Sequence, residues 1–174
     1  LLGDCKDVAD NTSTGASTAI VASITPDGFL RALNVGDSAM LVVRDGKVAA
    51  RTREISHYFD CPYQFSTDSP DKPRDGTKLN VELVRGDVIV MGSDGVFDNL
   101  GDADILDLVQ ENRNANARLN ALAKKISDRS RKVSLNRKAA TPYSKQAKKN
   151  GDPDFSDGLG GKVDDVSCVV VRYA

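Results

Sequence analysis

The chain has 174 residues, 28% of them charged, with a formal net charge of −1. That length can bury one sizeable core, and no apolar run approaches the roughly 20 residues a membrane-spanning helix needs. Three cysteines, Cys5, Cys61 and Cys168, are odd in number and lack metal-ligand spacing, so a reducing, intracellular setting and structural thiols are expected. The first residue is Leu1 rather than Met, so the chain reads as a piece of a longer product.

The first half reads as strands joined by tight turns. Ser17 to Ile24 is β-rich and runs into Pro26-Asp27-Gly28, a hairpin signal. Phe29 to Val35 follows and breaks at Gly36-Asp37-Ser38. Met40 to Val43, a turn at Arg44-Asp45-Gly46-Lys47, and Val48 to Thr52 complete an expected meander of four antiparallel strands. Ser66 to Lys78 is rich in Asp, Pro, Ser and Lys and reads as an exposed loop, so Asp71→Asn there is expected to leave any metal site untouched. Val81 to Val84, Arg85-Gly86-Asp87 and Val88 to Met91 read as one further hairpin.

Past Asn99 the apolar period lengthens to about 3.6. Ile105, Leu106, Leu108 and Val109 make one helical face, with Asp102 as its cap, and Leu119, Leu122, Ala123 and Ile126 make a second. Thr141-Pro142 starts a third helix through Lys149, and Gly151 to Lys162 is loop. The last strand, Val166 to Val171, is nearly all Val, which predicts burial on both faces in mid-sheet. Sheets flanked by helices make this an α+β layered architecture.

Charge is unevenly spread. Arg118 to Lys149 holds 11 basic residues against the single acid Asp128, leaving 13 basic and 24 acidic residues elsewhere. The stretch reads as a docking face for an acidic partner or a membrane surface, or else as a solvated helical face. Nucleic acid is not expected, because aromatics do not interleave with these charges.

The acids outside that stretch carry the chemistry. Val88 to Met91 ends in Gly92-Ser93-Asp94-Gly95, with Asp98 four residues beyond Asp94. Asp37 follows the strand ending at Val35, and Asp164 and Asp165 precede the last strand. If the strands beside Asp94 and Asp164 pair, both acids fall at one sheet edge. Carboxylates crowded in this way need a cation between them, and oxygen ligands suit Mg²⁺ or Mn²⁺. A metal pair so held can orient a bridging water and make it a nucleophile near neutral pH. The plainer alternative makes Asp94-Gly95 a turn and Asp98 a helix cap.

Other routes are weaker. His57 is the sole histidine, which excludes zinc sites built on several histidines; in His57-Tyr58-Phe59 it reads as structural. No Gly-x-Ser-x-Gly elbow is present, and Gly158-Leu159-Gly160-Gly161-Lys162 lacks the phosphate-loop pattern. An unrelated Ca²⁺-binding β domain would predict Ca²⁺ affinity with no preference for Mn²⁺.

Four ordered blocks resemble the metal-dependent protein phosphatases of type 2C: Gly15-Ala16-Ser17-Thr18-Ala19, Asn34-Val35-Gly36-Asp37-Ser38, Ser93-Asp94-Gly95-Val96-Phe97-Asp98-Asn99 and Asp164-Asp165-Val166-Ser167. His57-Tyr58-Phe59 and Gly160-Gly161-Lys162-Val163-Asp164-Asp165 resemble its divergent branch of mitochondria and plastids, which implies mitochondrial residence. The resemblance implies an αββα sandwich of two antiparallel sheets flanked by helices, incomplete at the N-terminus. It implies that residues 1–174 form the C-terminal two-thirds of such a domain. It also implies two Mg²⁺ or Mn²⁺ ions at Asp94 and Asp164, and a third, weaker one at Asp94, Asp98 and Asp37. The implied reaction is in-line attack of a metal-bridging water on phosphoserine or phosphothreonine of a phosphoprotein substrate, without a phosphoenzyme.

One family block is missing. The early Asp-Gly-x-Gly-Gly, whose aspartate bridges the metals, has no counterpart before Gly15, where Gly3-Asp4-Cys5 has the wrong context. Asp157-Gly158-Leu159-Gly160-Gly161 has the letters in the wrong place and reads as chance. The competing class is therefore a catalytically incomplete phosphatase-like module that binds partners, for example through residues 118–149.

Overall fold

In the computed structural model, which describes residues 15–112 and 118–174, the chain forms strands as far as Gly92 and then helices and a last strand. The first strands are β1 (Ala16–Ser17), β2 (Ala19–Ile24), β3 (Phe29–Val35), β4 (Ala39–Arg44) and β5 (Lys47–Arg51). Short strands β6 (Ser56–Tyr58), β7 (Cys61–Pro62) and β8 (Phe65–Ser66) precede β9 (Thr77–Glu82) and β10 (Val88–Gly92). Helices α1 (Asp94–Phe97), α2 (Asp102–Glu111), α3 (Leu119–Ser134) and α4 (Pro142–Lys149) then lead to β11 (Cys168–Arg172). The chain divides into two compact units.

The first unit comprises residues 15–39 and Arg51–Leu83. Its main sheet runs β2-β3-β9, all antiparallel, in register from Ala19↔Val35 to Ile24↔Leu30 and from Phe29↔Glu82 to Asn34↔Thr77. Val35 and Phe65 form a small buried cluster, with Ala19, Val21, Leu33 and Tyr63 packed on it. Two short pairings that the sequence did not announce, β1 with β8 and β6 with β7, complete the unit. The loop expected to be exposed is only partly so. Asp71 is buried, its carboxylate accepting the Gln64 N–H at 2.9 Å and meeting His57 Nε2 at 3.1 Å. His57 also stacks on Tyr63, with ring centroids 4.0 Å apart, so this histidine is structurally engaged.

The second unit comprises Met40–Ala50 and Val84–Ala174. Its sheet has the order β11-β10-β4-β5. Met40, Leu41, Val42 and Val90 are fully buried, as apolar runs in central strands should be. On the helices, Ile105 and Val109 of α2, Leu122 and Ile126 of α3, and Tyr143 and Ala147 of α4 face inward. Helix α3 packs against β11, α1 and α2. The basic residues of 118–149 fall largely on exposed positions of α3 and α4.

Four expectations need correction. The meander of four is two hairpins in different sheets, because Gly36-Asp37-Ser38 ends β3 and the next strand joins another ladder. Likewise β9 and β10 are not a hairpin: β9 pairs β3 and β10 pairs β11. The valine-rich β11 begins at Cys168 and lies at a sheet edge, with Val169 51% and Val171 39% exposed. Composition alone did not separate a doubly buried strand from a half-buried one, and the doubly buried strand is β4. Finally, Asp102 is the first residue of α2 rather than its cap; Gly101 precedes the helix and Asp104 accepts its N–H at 2.9 Å.

Candidate metal centre

The ladder between β10 and β11 runs from Val88↔Arg172 to Gly92↔Cys168. Just beyond it, Ser93 prolongs the pairing with its own side chain. Its N–H donates to the Ser167 carbonyl, its hydroxyl donates to the Asp165 carbonyl, and the hydroxyl oxygen accepts the Ser167 N–H, each at 3.1 Å. The two strand ends are thereby laced together, which holds the segment bearing Asp164 next to the turn that begins at Asp94. The contact needs a glycine: a Cβ on Gly95 would collide with the Asp165 carbonyl.

Asp94 and Asp98 bracket the single turn of α1, and residues four apart on a helix share a face. The late loop sends Lys162 between them. Its Nζ lies 2.9 Å from Asp98 Oδ2, 3.3 Å from Asp94 Oδ2 and 3.9 Å from Asp164 Oδ2. The other Asp94 oxygen accepts the Gly95 N–H at 2.8 Å, and Asp164 Oδ1 accepts the Asp165 N–H at 2.7 Å. One oxygen of Asp94 and one of Asp164 are thus fixed by backbone, while the other oxygen of each is the one nearer the ammonium. The three acids keep 26%, 26% and 38% side-chain exposure, so the group is open to solvent.

Behind the acids stands a buried frame. Asn99 donates to the Gly95 carbonyl at 3.0 Å and the Lys162 carbonyl at 2.8 Å, and its Oδ1 accepts the Lys162 N–H at 3.0 Å. The hydroxyl of Ser130 on α3 also donates to the Gly95 carbonyl. The Tyr143 N–H donates to the Asp98 carbonyl at 3.0 Å, and the tyrosine ring lies 4.9 Å below Lys162 Nζ.

Of the four acids singled out by sequence, Asp94, Asp98 and Asp164 meet around Lys162. Asp37 lies in the first unit, in the turn after β3, where the buried Asn34 amide donates to the carbonyls of Gly36 (3.3 Å), Ser38 (2.8 Å) and Arg53 (3.3 Å). Asp157 spends a carboxylate oxygen on its own turn, accepting the Leu159 N–H at 2.8 Å. Sequence reasoning gave Lys162, Asn99, Ser130 and Tyr143 no role. The available signal was electrostatic: acids crowded at a strand mouth require a positive neighbour, and Lys162 stands two residues before Asp164.

The donor set suits a hard divalent cation. All the side-chain donors are carboxylate oxygens, as Mg²⁺ and Mn²⁺ prefer, and a cationic group already sits among them. Among the described residues no three His, Cys, Asp or Glu side chains form a cluster able to hold an ion by themselves. The acids therefore offer part of a coordination shell, which is usual for Mg²⁺, an ion that keeps several waters.

Comparison with known proteins finds relatives of one family. A family model for protein phosphatase 2C matches residues 79–138. A probable protein phosphatase 2C 1 of Oryza sativa subsp. japonica is 36% identical over 172 residues, covering 94% of this chain and 51% of its own. A probable protein phosphatase 2C 26 of Arabidopsis thaliana is 37% identical over 169 residues, covering 92% and 55%. The chain thus spans about half the length of these curated relatives. The X-ray structure of the photosystem II phosphatase PBCP superposes with a TM-score of 0.88 at 32% identity, over 99% of this chain and 69% of that one. The α+β class read from the sequence, antiparallel sheets with helices in a sandwich, is accordingly that of this fold.

Proposed function

This chain belongs to the protein phosphatase 2C family, and on that premise we propose that it hydrolyses phosphoserine and phosphothreonine in proteins, with a divalent cation held at Asp94 and Asp164. The observation that carries the reading is the convergence of Asp94, Asp98 and Asp164 on one ammonium at the β10–β11 joint. Ser93 and Gly95, on either side of Asp94, lie against the Asp165 backbone next to Asp164, so the two acids sit on neighbouring segments just beyond the β10–β11 ladder.

The protein's own part is to hold, orient and leave room. Backbone N–H groups fix one oxygen of Asp94 and one of Asp164, which aims the second oxygen of each without rotamer search at binding. Partial exposure of the acids leaves an approach for a phosphorylated side chain. A divalent cation bound there supplies Lewis acidity, lowering the pKa of water and offsetting charge on phosphoryl oxygens. The all-oxygen donor set supports Mg²⁺ or Mn²⁺. The family expectation of a third, weaker ion at Asp94, Asp98 and Asp37 is contested by the Lys162 ammonium between Asp94 and Asp98. Residues 1–174 would correspond to the C-terminal two-thirds of a type 2C domain, a reading supported by the 69% coverage of the aligned structure.

A second reading has one observation in its favour. Because no three such side chains cluster closely enough among the described residues, a phosphatase-like module that binds partners without turnover remains the competitor. Phosphate release from a phosphothreonine peptide, with Mn²⁺ supplied, separates the two. The enzyme reading expects release that chelation stops and that Asp94→Asn lowers about 100-fold. Mn²⁺ binding without any release would favour the module. Release equal in wild type and Asp94→Asn would remove the site assignment.

A further inference from the structure

Lys162 is held too firmly to be an incidental neighbour of the acids. Both its backbone hydrogen-bonding groups are taken by Asn99, at 2.8 and 3.0 Å. The preceding residue, Gly161, lies so close to α3 that a Cβ would collide with the Val133 carbonyl and Ser134. The loop cannot retreat toward that helix. The ammonium lies over the ring of Tyr143, itself buried and edge-on to Phe155 at 5.2 Å. A cation over an aromatic face is stabilised there by the ring quadrupole. Only 20% of the lysine side chain is exposed.

The acids it meets explain the arrangement. Asp94 and Asp98 are four apart on one helical turn, and like charges at that spacing repel. The ammonium lies between them, nearer Asp98 (2.9 Å) than Asp94 (3.3 Å), with Asp164 further off at 3.9 Å. A divalent ion bridging the same two oxygens would have to take the space that the ammonium already holds between them, 2.9 Å from one and 3.3 Å from the other.

We propose that Lys162 is a resident cation of this centre: its ammonium fills the place between Asp94 and Asp98 that a further divalent ion would otherwise take, and Asp98 is a lysine partner, not a metal ligand. The proposal rests on the metal-centre reading above and narrows it. Asp94 and Asp164 keep the divalent site, and the positive charge beside Asp98 is supplied by the chain itself. That charge cannot be removed by chelation.

The test is Mn²⁺ stoichiometry, read by calorimetric titration and by the EPR signal of free Mn²⁺, on the 174-residue chain and four variants. Lys162→Met uncovers two facing carboxylates and is expected to bind one Mn²⁺ more than wild type. Lys162→Met combined with Asp98→Asn is expected to lose that gain. Asp98→Asn alone and Lys162→Arg, which keeps the charge, are expected to match wild type. These last two decide the matter even if Lys162→Met fails to fold. Loss of one Mn²⁺ in Asp98→Asn, or no gain in folded Lys162→Met, overturns the proposal while Mn²⁺ binding by wild type preserves the metal-centre reading. If neither wild type nor Lys162→Met binds Mn²⁺, both fall together.

Discussion

Asn99 closes both backbone hydrogen-bonding groups of Lys162, donating to its carbonyl at 2.8 Å and accepting its N–H at 3.0 Å. The same amide reaches the Gly95 carbonyl at 3.0 Å. One side chain, 3% exposed, therefore ties the turn that bears Asp94 and Asp98 to the loop that bears Lys162. Asn99→Ala removes the partner of the Lys162 carbonyl and N–H and one of two donors to the Gly95 carbonyl, which keeps the Ser130 hydroxyl. Each net hydrogen bond is worth about 1 kcal/mol and an orphaned buried group costs more, so a loss of about 2–3 kcal/mol is expected in urea unfolding. A change below about 0.5 kcal/mol would show that the frame does not depend on this residue.

At Gly95 the first turn of α1 lies directly against the Asp165 backbone. Gly95→Ala places a methyl against the Asp165 carbonyl, and relief requires the segment bearing Asp164 to move away from Asp94. Overpacking of this kind costs about 1–3 kcal/mol. Weaker Mn²⁺ binding at retained secondary structure is the expected signature. Unchanged affinity would mean that the Asp94–Asp164 spacing does not set the site.

The pair between Arg44 and Asp87 gives the second unit an acid-sensitive joint. Arg44 Nε and Nη2 donate to the two oxygens of Asp87 at 2.8 and 2.7 Å, and the Val84 N–H donates at 2.9 Å. Burial works to raise the Asp87 pKa, but the Arg44 and Val84 donors outweigh it and hold the carboxyl below its usual range. A depressed native pKa means that the unfolded state binds the proton more readily. The stabilisation is therefore present above the ordinary carboxylate pKa, about 3.9, and is lost as pH falls through the lower native value. Asp87→Asn is expected to cost about 2–3 kcal/mol at neutral pH and to flatten the stability profile below about pH 4. Parallel profiles for the two proteins would refute this.

Asp71 behaves in the same direction in the first unit. Burial alone would raise its pKa, yet the Gln64 N–H, His57 and Ser69 together lower it. Asp71→Asn weakens the bond to His57 Nε2, and a loss of about 1–2 kcal/mol is expected in thermal or urea unfolding. No measurable loss would return Asp71 to the exposed-loop role that its neighbours in sequence suggest.

Cys168, at the start of β11, has its thiol pushed up to about 11 by burial. At pH 7.5 the reactive thiolate is then about one part in three thousand. Iodoacetamide is expected to modify Cys168 at least about tenfold more slowly than an unstructured thiol with pKa near 8.5. Labelling at the rate of the unfolded chain would show that β11 opens readily.

The sequence made much of the second unit legible because its signals are local. The helical faces of α2 and α3 follow from period and the Thr141-Pro142 start of α4 from capping chemistry, whereas the pairing of the strands beside Asp94 and Asp164 entered only as a condition that the β10–β11 ladder meets. Sheet membership was not legible. Turns such as Pro26-Asp27-Gly28 and Arg85-Gly86-Asp87 look alike, yet the first closes a hairpin and the second carries the chain from one sheet to another. Burial of β11 was misread because valine content reports strand propensity and not which neighbours are present. Lys162, read only as part of a motif, was given no role because its two nearer partners lie 64 and 68 residues away, a separation that no local pattern carries.

Shared binding of one divalent cation by Asp94 and Asp164 is the central claim to test. Calorimetric titration of Mn²⁺ into the wild-type chain, Asp94→Asn and Asp164→Asn measures this directly, without need of a substrate. The account predicts binding in wild type that weakens at least about tenfold, or about 1.4 kcal/mol, in each variant. Wild-type affinity retained in both variants would contradict it.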